Sequence, residues 1–419
     1  MSRSATAGRS RKLTVLVFAI FIVISLLTNI IGPLIPDMIR GFSLSLTAAA
    51  LLPFSFFIAY GVMSIPAGVL VEKHGEKPVI VGAFALSFAG SLLVACAPGY
   101  RTTLISVFII GVAMAILQVA INPLLRVAGG EEHFAFNSAL AQLLFGGASF
   151  VSPQVYSYLI GALGRSGPRG PVLRLLASVT PERWPWISLY WLFVVLSLAT
   201  LASVVAFRFP SVERTEEEQA GSWGIYRGLF RNRIVLLYFF SIFVYVGSEQ
   251  GTSNWISQFL STYHGVNPQT TGAMTVAWFW GLLTAGCGLG LVLLRLMDSR
   301  RVLIGTTLGA LAALTAALFG NRQTSVIAFA AVGFFASVMW PIINSLALNS
   351  LAHSHGAFAG ILCTGIVGGA IMPLLIGQIG DHLGLRTGMM VLYLTFGWIL
   401  GIGFWARPLI QNRTVMQSP

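Results

Sequence analysis

The chain has 419 residues, of which 56% are hydrophobic and 9% charged, with a mean hydropathy of +0.82 and a formal net charge of +12. Soluble globular domains carry roughly 25% charged residues, so a soluble fold of this length is excluded. The basic excess resembles a nucleic-acid footprint only until its distribution is read, because it follows the loops between apolar stretches.

A helix needs ~20 apolar residues to cross ~30 Å of hydrocarbon. Twelve such stretches are predicted, over residues 13–35, 46–71, 78–97, 103–127, 136–162, 187–207, 234–261, 268–296, 301–319, 325–351, 357–380 and 386–406. The first is too long for a cleavable signal peptide and leads straight into more membrane. With the N-terminus inside, seventeen of the 25 Lys and Arg fall on the side of the termini and eight on the other. That bias is the positive-inside pattern and predicts cytoplasmic termini. The expected fold class is an all-α membrane protein of twelve transmembrane helices in two six-helix bundles. The polar segment 208–233 divides it, giving an N-terminal bundle over 1–207 and a C-terminal bundle over 234–419.

Between the second and third stretches the chain reads GVLVEKHGEKPVI (Gly68 to Ile80). Its glycines permit a tight turn and close helix approach. Glu72 and Lys77 supply charges that can latch helix ends together, with Gly75 at the turn; ordinary loop charge is the alternative. The fourth and tenth stretches share an internal echo, INPLLRVAGG and MWPIINSLAL. Pro123 and Pro153 in one half correspond to Pro341 and Pro373 in the other. Repeated halves with a site at their interface are typical of secondary transporters. The longest loop on the far side, 161–186, is expected to hold a short interfacial helix, with Trp184 and Trp186 at headgroup level. Cys96, Cys287 and Cys363 lie in predicted helices as small packing residues; no disulfide or metal spacing is present.

The seventh stretch, YFFSIFVYVGSEQGTSNWISQFL (Tyr238 to Leu260), carries a lone carboxylate, Glu249. A charge at that depth is costly, so an intramembrane acid is read first as a functional group. No basic residue is predicted at a similar depth, which suits a group that takes up and releases a proton. The run Gly251 to Asn254 is expected to loosen the helix and free backbone groups to line a cavity. Amides are abundant in the apolar stretches: Asn29, Gln118, Asn122, Gln142, Asn254 and Asn344, with Trp255 and Trp278 among the nearby aromatics. Amides chelate vicinal hydroxyls and aromatic faces cover sugar C–H faces, so these eight are the candidate substrate-binding residues. Hydrogen bonding between helices is the alternative for each amide, and Asn122 stands beside Pro123, where it can satisfy a kink.

The 68–80 segment resembles the loop signature of the major facilitator superfamily. QVAINPL (Gln118 to Leu124), FNSALAQLLFGGASF (Phe136 to Phe150), YVGSEQGTSNW (Tyr245 to Trp255), and WPIINSLAL with GGAIMPLLIGQIGD (Trp340 to Asp381) resemble its fucose–galactose–glucose symporter branch. The resemblance implies a cation-coupled symporter that imports a hexose or similar small polar solute by alternating access across a bacterial inner membrane. It implies no cofactor and not an enzyme. Members of the fucose permease type carry acids in helices 1 and 4. The aligned positions here are the neutral Asn29 and Gln118, so Glu249 is expected to carry coupling, through H+ or through a Na+ ion held near it. No other metal site and no nucleic-acid partner are expected, and a monomer is. The main alternative is a drug or lipid exporter of the same superfamily.

Overall fold

The structure, a computed structural model, describes residues 11–130, 133–164, 170–209, 223–351 and 355–409. Eleven helices there are long and apolar enough to cross a membrane. They are α1 (Arg11–Phe42), α2 (Leu46–His74), α3 (Glu76–Cys96), α4 (Tyr100–Gly129), α6 (Ile187–Ala206), α7 (Arg233–Ser253), α8 (Pro268–Leu296), α9 (Ser299–Phe319), α10 (Arg322–Leu348), α11 (Gly356–Leu383) and α12 (Leu385–Trp405). The remaining helix, α5 (Phe134–Gly164), spans 31 residues; Asn137, Gln142, Ser149, Ser152 and Gln154 dilute its apolar character. A further piece, Ile256–His264, prolongs α7. All twelve predicted stretches are therefore helical. Most of the central segment, 210–222, lies outside the described residues.

Successive helices alternate in direction, so the ends bearing Arg11, His74, Gly129, Ala206 and Trp405 form one face, here the terminal face. The opposite one is the distal face. The α2–α3 connection is a single residue, Gly75 at φ +79°, a conformation that only glycine adopts without strain. On the distal face the helix Pro171–Val179 forms where an interfacial helix is expected, with Val172 and Leu175 fully on its surface. Trp186, in contrast, is buried against Phe42 and Tyr190 rather than placed at headgroup level. All three cysteines sit on helix surfaces instead of in the packed interior.

Two of the helix breaks lie just ahead of a proline, although Pro53, Pro66, Pro123, Pro153 and Pro373 stand inside continuous helices. Proline cannot donate to the carbonyl four residues earlier, and its ring crowds that carbonyl. α1 breaks at Asn29–Ile30, four and three residues before Pro33; α10 breaks at Ser337–Val338, four and three residues before Pro341. α7 has no proline. It stays helical through Gly251 to Ser253 and turns at Asn254–Trp255, so the loosening expected of this run falls at its end.

Small residues set helix separation, as is usual where lipid offers no hydrophobic drive for association. At Gly368 of α11 an added Cβ would overlap the Phe243 carbonyl oxygen of α7, and at Gly333 of α10 it would overlap that of Phe279 of α8. Gly368→Ala is therefore expected to destabilise the protein by about 1–3 kcal/mol, the usual cost of overpacking. A lowered melting temperature in detergent, set against an unchanged one for Gly82→Ala, where a Cβ meets open space, checks it.

Candidate functional site

The centre of the molecule is where two broken helices from opposite halves meet. An ideal Cβ on Gly32, just past the α1 break, would lie 2.6 Å from the Ser253 carbonyl oxygen and 3.1 Å from the Asn254 Cα at the α7 break. Only a hydrogen in place of a side chain lets the two backbones approach this closely. On the other side of the α7 turn, Gly369 of α11 faces Gln250 and Phe57.

Glu249 lies one helical turn from that junction. Its Oε2 accepts from the Tyr245 hydroxyl (2.7 Å) and its Oε1 from Gln250 Nε2 (3.3 Å). Gln250 Oε1 in turn accepts from Asn254 Nδ2 (3.3 Å), so a hydrogen-bonded chain runs along α7 from Tyr245 to the break. The Tyr245 ring packs on Trp340, just after the α10 break, at 5.9 Å between centroids. Among the described residues no Lys, Arg or His forms an ion pair with Glu249. A carboxylate held only by neutral donors can bind a proton or share a small cation with nearby oxygens.

The other predicted residues divide into three groups. Asn29 is buried at the α1 break and donates from Nδ2 to Ser149 Oγ of α5 (2.8 Å), beside the Ser25–Ser149 hydroxyl pair (2.7 Å). Asn254 is buried in the Glu249 chain. Trp255 is completely enclosed, and its Nε1 donates to the Pro373 carbonyl of α11 (3.2 Å), so in this arrangement it joins two helices and faces no opening. Gln118 and Asn122 of α4, Gln142 of α5 and Asn344 of α10 lie in the halves of their helices nearer the terminal face and are partly or fully exposed. Asn122 donates to the Gln118 carbonyl (3.2 Å), an i−4 bond beside Pro123. Trp278 is half exposed and meets Phe150 edge-to-face (5.2 Å), joining α8 to α5.

The three loop residues also separate. Gly75 makes the turn. Lys77 Nζ donates to the Val205 and Phe207 carbonyls (2.9 and 2.7 Å) and so caps the C-terminus of α6 within its own bundle. Glu72 faces Tyr226, on the surface helix Trp223–Leu229, whose phenol pKa is pushed up by burial first and by the Glu72 charge second. Tyr226 also borders Gly360 of α11, so Glu72 is the member of the three placed toward the second half.

Two carboxylates overlooked in the sequence reading link the halves near the distal face. Asp381, at the end of α11, accepts from the Leu46 and Thr47 amides (2.7 and 2.9 Å) at the N-terminus of α2. A carboxylate there meets both unsatisfied N–H groups and the positive end of the helix dipole. Asp37 of α1, itself buried, accepts from Tyr156 of α5, from Gln269 Nε2 of α8 through both oxygens (3.0 and 3.1 Å), and from Arg40 (2.6 Å). Gly377 and Gly380 beside Asp381 bring α11 against Leu46 of α2. The halves are thus fastened near the distal face.

Hydrogen bonds to a charged group contribute about 1.5–3 kcal/mol, less at an exposed site such as Asp381. Asp381→Ala is expected to weaken distal closure by about 1–2 kcal/mol, a roughly five- to thirtyfold shift toward the distally open form. Spin-label distances between the distal ends of α2 and α11 check this: a longer-distance population should appear, and an unchanged distribution would show that the cap does not hold the closure.

Residues 17–365 match the sequence profile of the Major Facilitator Superfamily. The chain is 30% identical over 379 residues to the glucose/galactose transporter of Brucella abortus biovar 1 (strain 9-941), covering 88% of each chain. It is 24% identical over 403 residues to the L-fucose-proton symporter of Escherichia coli (strain K12), covering 90% of each. Its fold superposes on the crystal structure of the E. coli fucose:proton symporter with a TM-score of 0.67, at 20% identity, over 96% of this chain and 100% of that one. Helix count, broken helices, paired halves and profile agree: the chain belongs to the Major Facilitator Superfamily, and is a multi-pass membrane transporter rather than an enzyme.

Proposed function

We propose that this transporter carries a hexose or a closely related polyhydroxylated solute inward, coupled to a cation that binds at Glu249. The observation that carries the reading is the state of that carboxylate: it lies inside a membrane span, one turn before the α7 break, with neutral hydrogen-bond donors and, among the described residues, no basic partner. The sugar class is supported by relatives named for glucose, galactose and fucose transport. The amides that recognition of vicinal hydroxyls requires are also present. Gln118, Asn122, Gln142 and Asn344 line the approach from the terminal face, and Asn29, Asn254, Trp255 and Trp278 come into reach as the halves rock. The division of the chain is proposed at 208–233, with bundles over 1–207 and 234–419, and Glu72 with Gly75 and Lys77 forms the opposing latch.

The excess of Lys and Arg on the terminal face supports cytoplasmic termini and a bacterial inner-membrane location. In that orientation the face fastened by Asp37 and Asp381 is the outer one. Proton coupling is favoured over sodium, because a lone carboxylate that accepts one proton becomes neutral and can cross the rocking step without the cost of a bare charge. Loaded with sugar but unprotonated, the carrier resists that step, so movement of sugar without its proton is suppressed. The working unit is proposed to be a monomer.

Uptake into proteoliposomes tests the reading. Labelled glucose, galactose and fucose are offered in counterflow, and accumulation is then driven by a pH gradient or a sodium gradient alone. At least one sugar is expected to exchange, and the pH gradient alone to drive its accumulation. Exchange of none of the three by protein that expels an amphipathic dye would replace the importer with an exporter.

A further inference from the structure

A cavity unrelated to the junction of the two halves lies at the terminal face between the start of α7 and the end of α12. It has a volume of about 580 Å³, within the roughly 300–1,000 Å³ range of small-molecule sites. Its floor is the bare backbone of Gly397 and Gly401, four residues apart and so on one face of α12. Nothing lies within 4 Å of a Cβ built on Gly397, so the trough above it is open. Leu237, Tyr238 and Trp405 form the walls, with the Tyr238 and Trp405 rings 5.2 Å apart. The Tyr238 hydroxyl is paired with Ser350 Oγ (3.1 Å), which leaves the walls apolar toward the trough.

The polarity of the cavity runs one way. Its charged lining residue is Arg407, exposed at the terminal-face mouth, and among the described residues Arg407 has no hydrogen bond or ion pair. Trp405 lies two residues inward, at the depth where tryptophans anchor helices to headgroups. The trough opens sideways, not into the bundle. Its neighbours Ile234, Leu237, Phe240 and Phe404 present 37–70% of their surface outward, as lipid-facing side chains do. An apolar channel along a helix, open to the bilayer and ending at an unpaired guanidinium at headgroup level, has the form of an acyl chain joined to an anion.

We propose that this groove is a binding site for an anionic phospholipid, with one acyl chain lying over Gly397 and Gly401 and the headgroup phosphate held by Arg407. An arginine suits a phosphate because its planar fork offers paired donors. The bound lipid would tie the start of α7, the helix that carries Glu249, to the end of α12. It does not depend on which solute is transported.

The test uses purified full-length protein in detergent micelles, doped with dioleoylphosphatidylglycerol, with dioleoylphosphatidylcholine, or with inorganic phosphate. Melting temperature and native mass spectrometry are read for wild type, Arg407→Gln and Gly397→Leu. Phosphatidylglycerol is expected to raise the wild-type melting temperature by roughly 2–4 °C more than phosphatidylcholine, with one retained lipid per protein. Arg407→Gln should erase the difference between the two lipids, and Gly397→Leu, which fills the trough without a backbone clash, should remove the retained lipid. Equal stabilisation of wild type by both lipids, a full effect surviving in both variants, or an equal effect of phosphate alone would each overturn the proposal. If Gly397→Leu does not fold, Arg407→Gln with the mass-spectrometric count still decides it.

Discussion

The two halves meet backbone on backbone where Gly32 of α1 packs against Ser253 and Asn254 of α7. Both helices are interrupted there, and a broken helix inside a membrane must satisfy the carbonyls and amides it frees. The Asn29 N–H still donates to the Ser25 carbonyl and the Asn254 N–H to the Gln250 carbonyl, while the Asn29 side chain donates to Ser149 and that of Asn254 to Gln250. Gln250 also donates to Glu249, so the chain that ends on Glu249 starts at Asn254, a residue that Gly32 packs against. If Glu249 binds the coupling ion as proposed, this contact is where ion occupancy and the rocking of the halves meet.

The fastening of the halves is asymmetric, and electrostatics account for it. On the distal side, Asp381 supplies the charge that the exposed N-terminus of α2 lacks, and Asp37 gathers Tyr156, Gln269 and Arg40 from three helices. On the terminal side, Lys77 is occupied with its own bundle at the end of α6, while Glu72 is placed toward α11 through Tyr226. Two carboxylates thus hold the halves together near the distal face.

Much of the fold was legible in the sequence because the membrane imposes a length and a hydropathy that local composition reveals directly. The α1 and α10 breaks were not legible, because Pro33 and Pro341 read no differently from Pro53, Pro123 or Pro373, which stand inside continuous helices, and only the looseness of α7 was anticipated. The site was partly legible: a carboxylate in an apolar run is conspicuous by its solvation cost, so Glu249 stood out. Asp37 and Asp381 did not, since each lies near a predicted helix end where charge is ordinary. Their partners Gln269 and Leu46 are 232 and 335 residues away. Trp255 shows another limit of the sequence. It sits in a motif that implies substrate contact, yet its burial against Pro373 is set by tertiary packing that no local pattern encodes.

The central claim is that Glu249 couples the cation to transport without being needed for the rocking motion itself. Glu249→Gln tests this most directly, because it keeps a similar shape and mimics the neutral form. Sugar counterflow and gradient-driven accumulation are measured side by side in proteoliposomes of wild type and variant. The account predicts that counterflow persists while accumulation under a pH gradient is abolished. Accumulation retained at the wild-type level would contradict it and move the coupling site elsewhere.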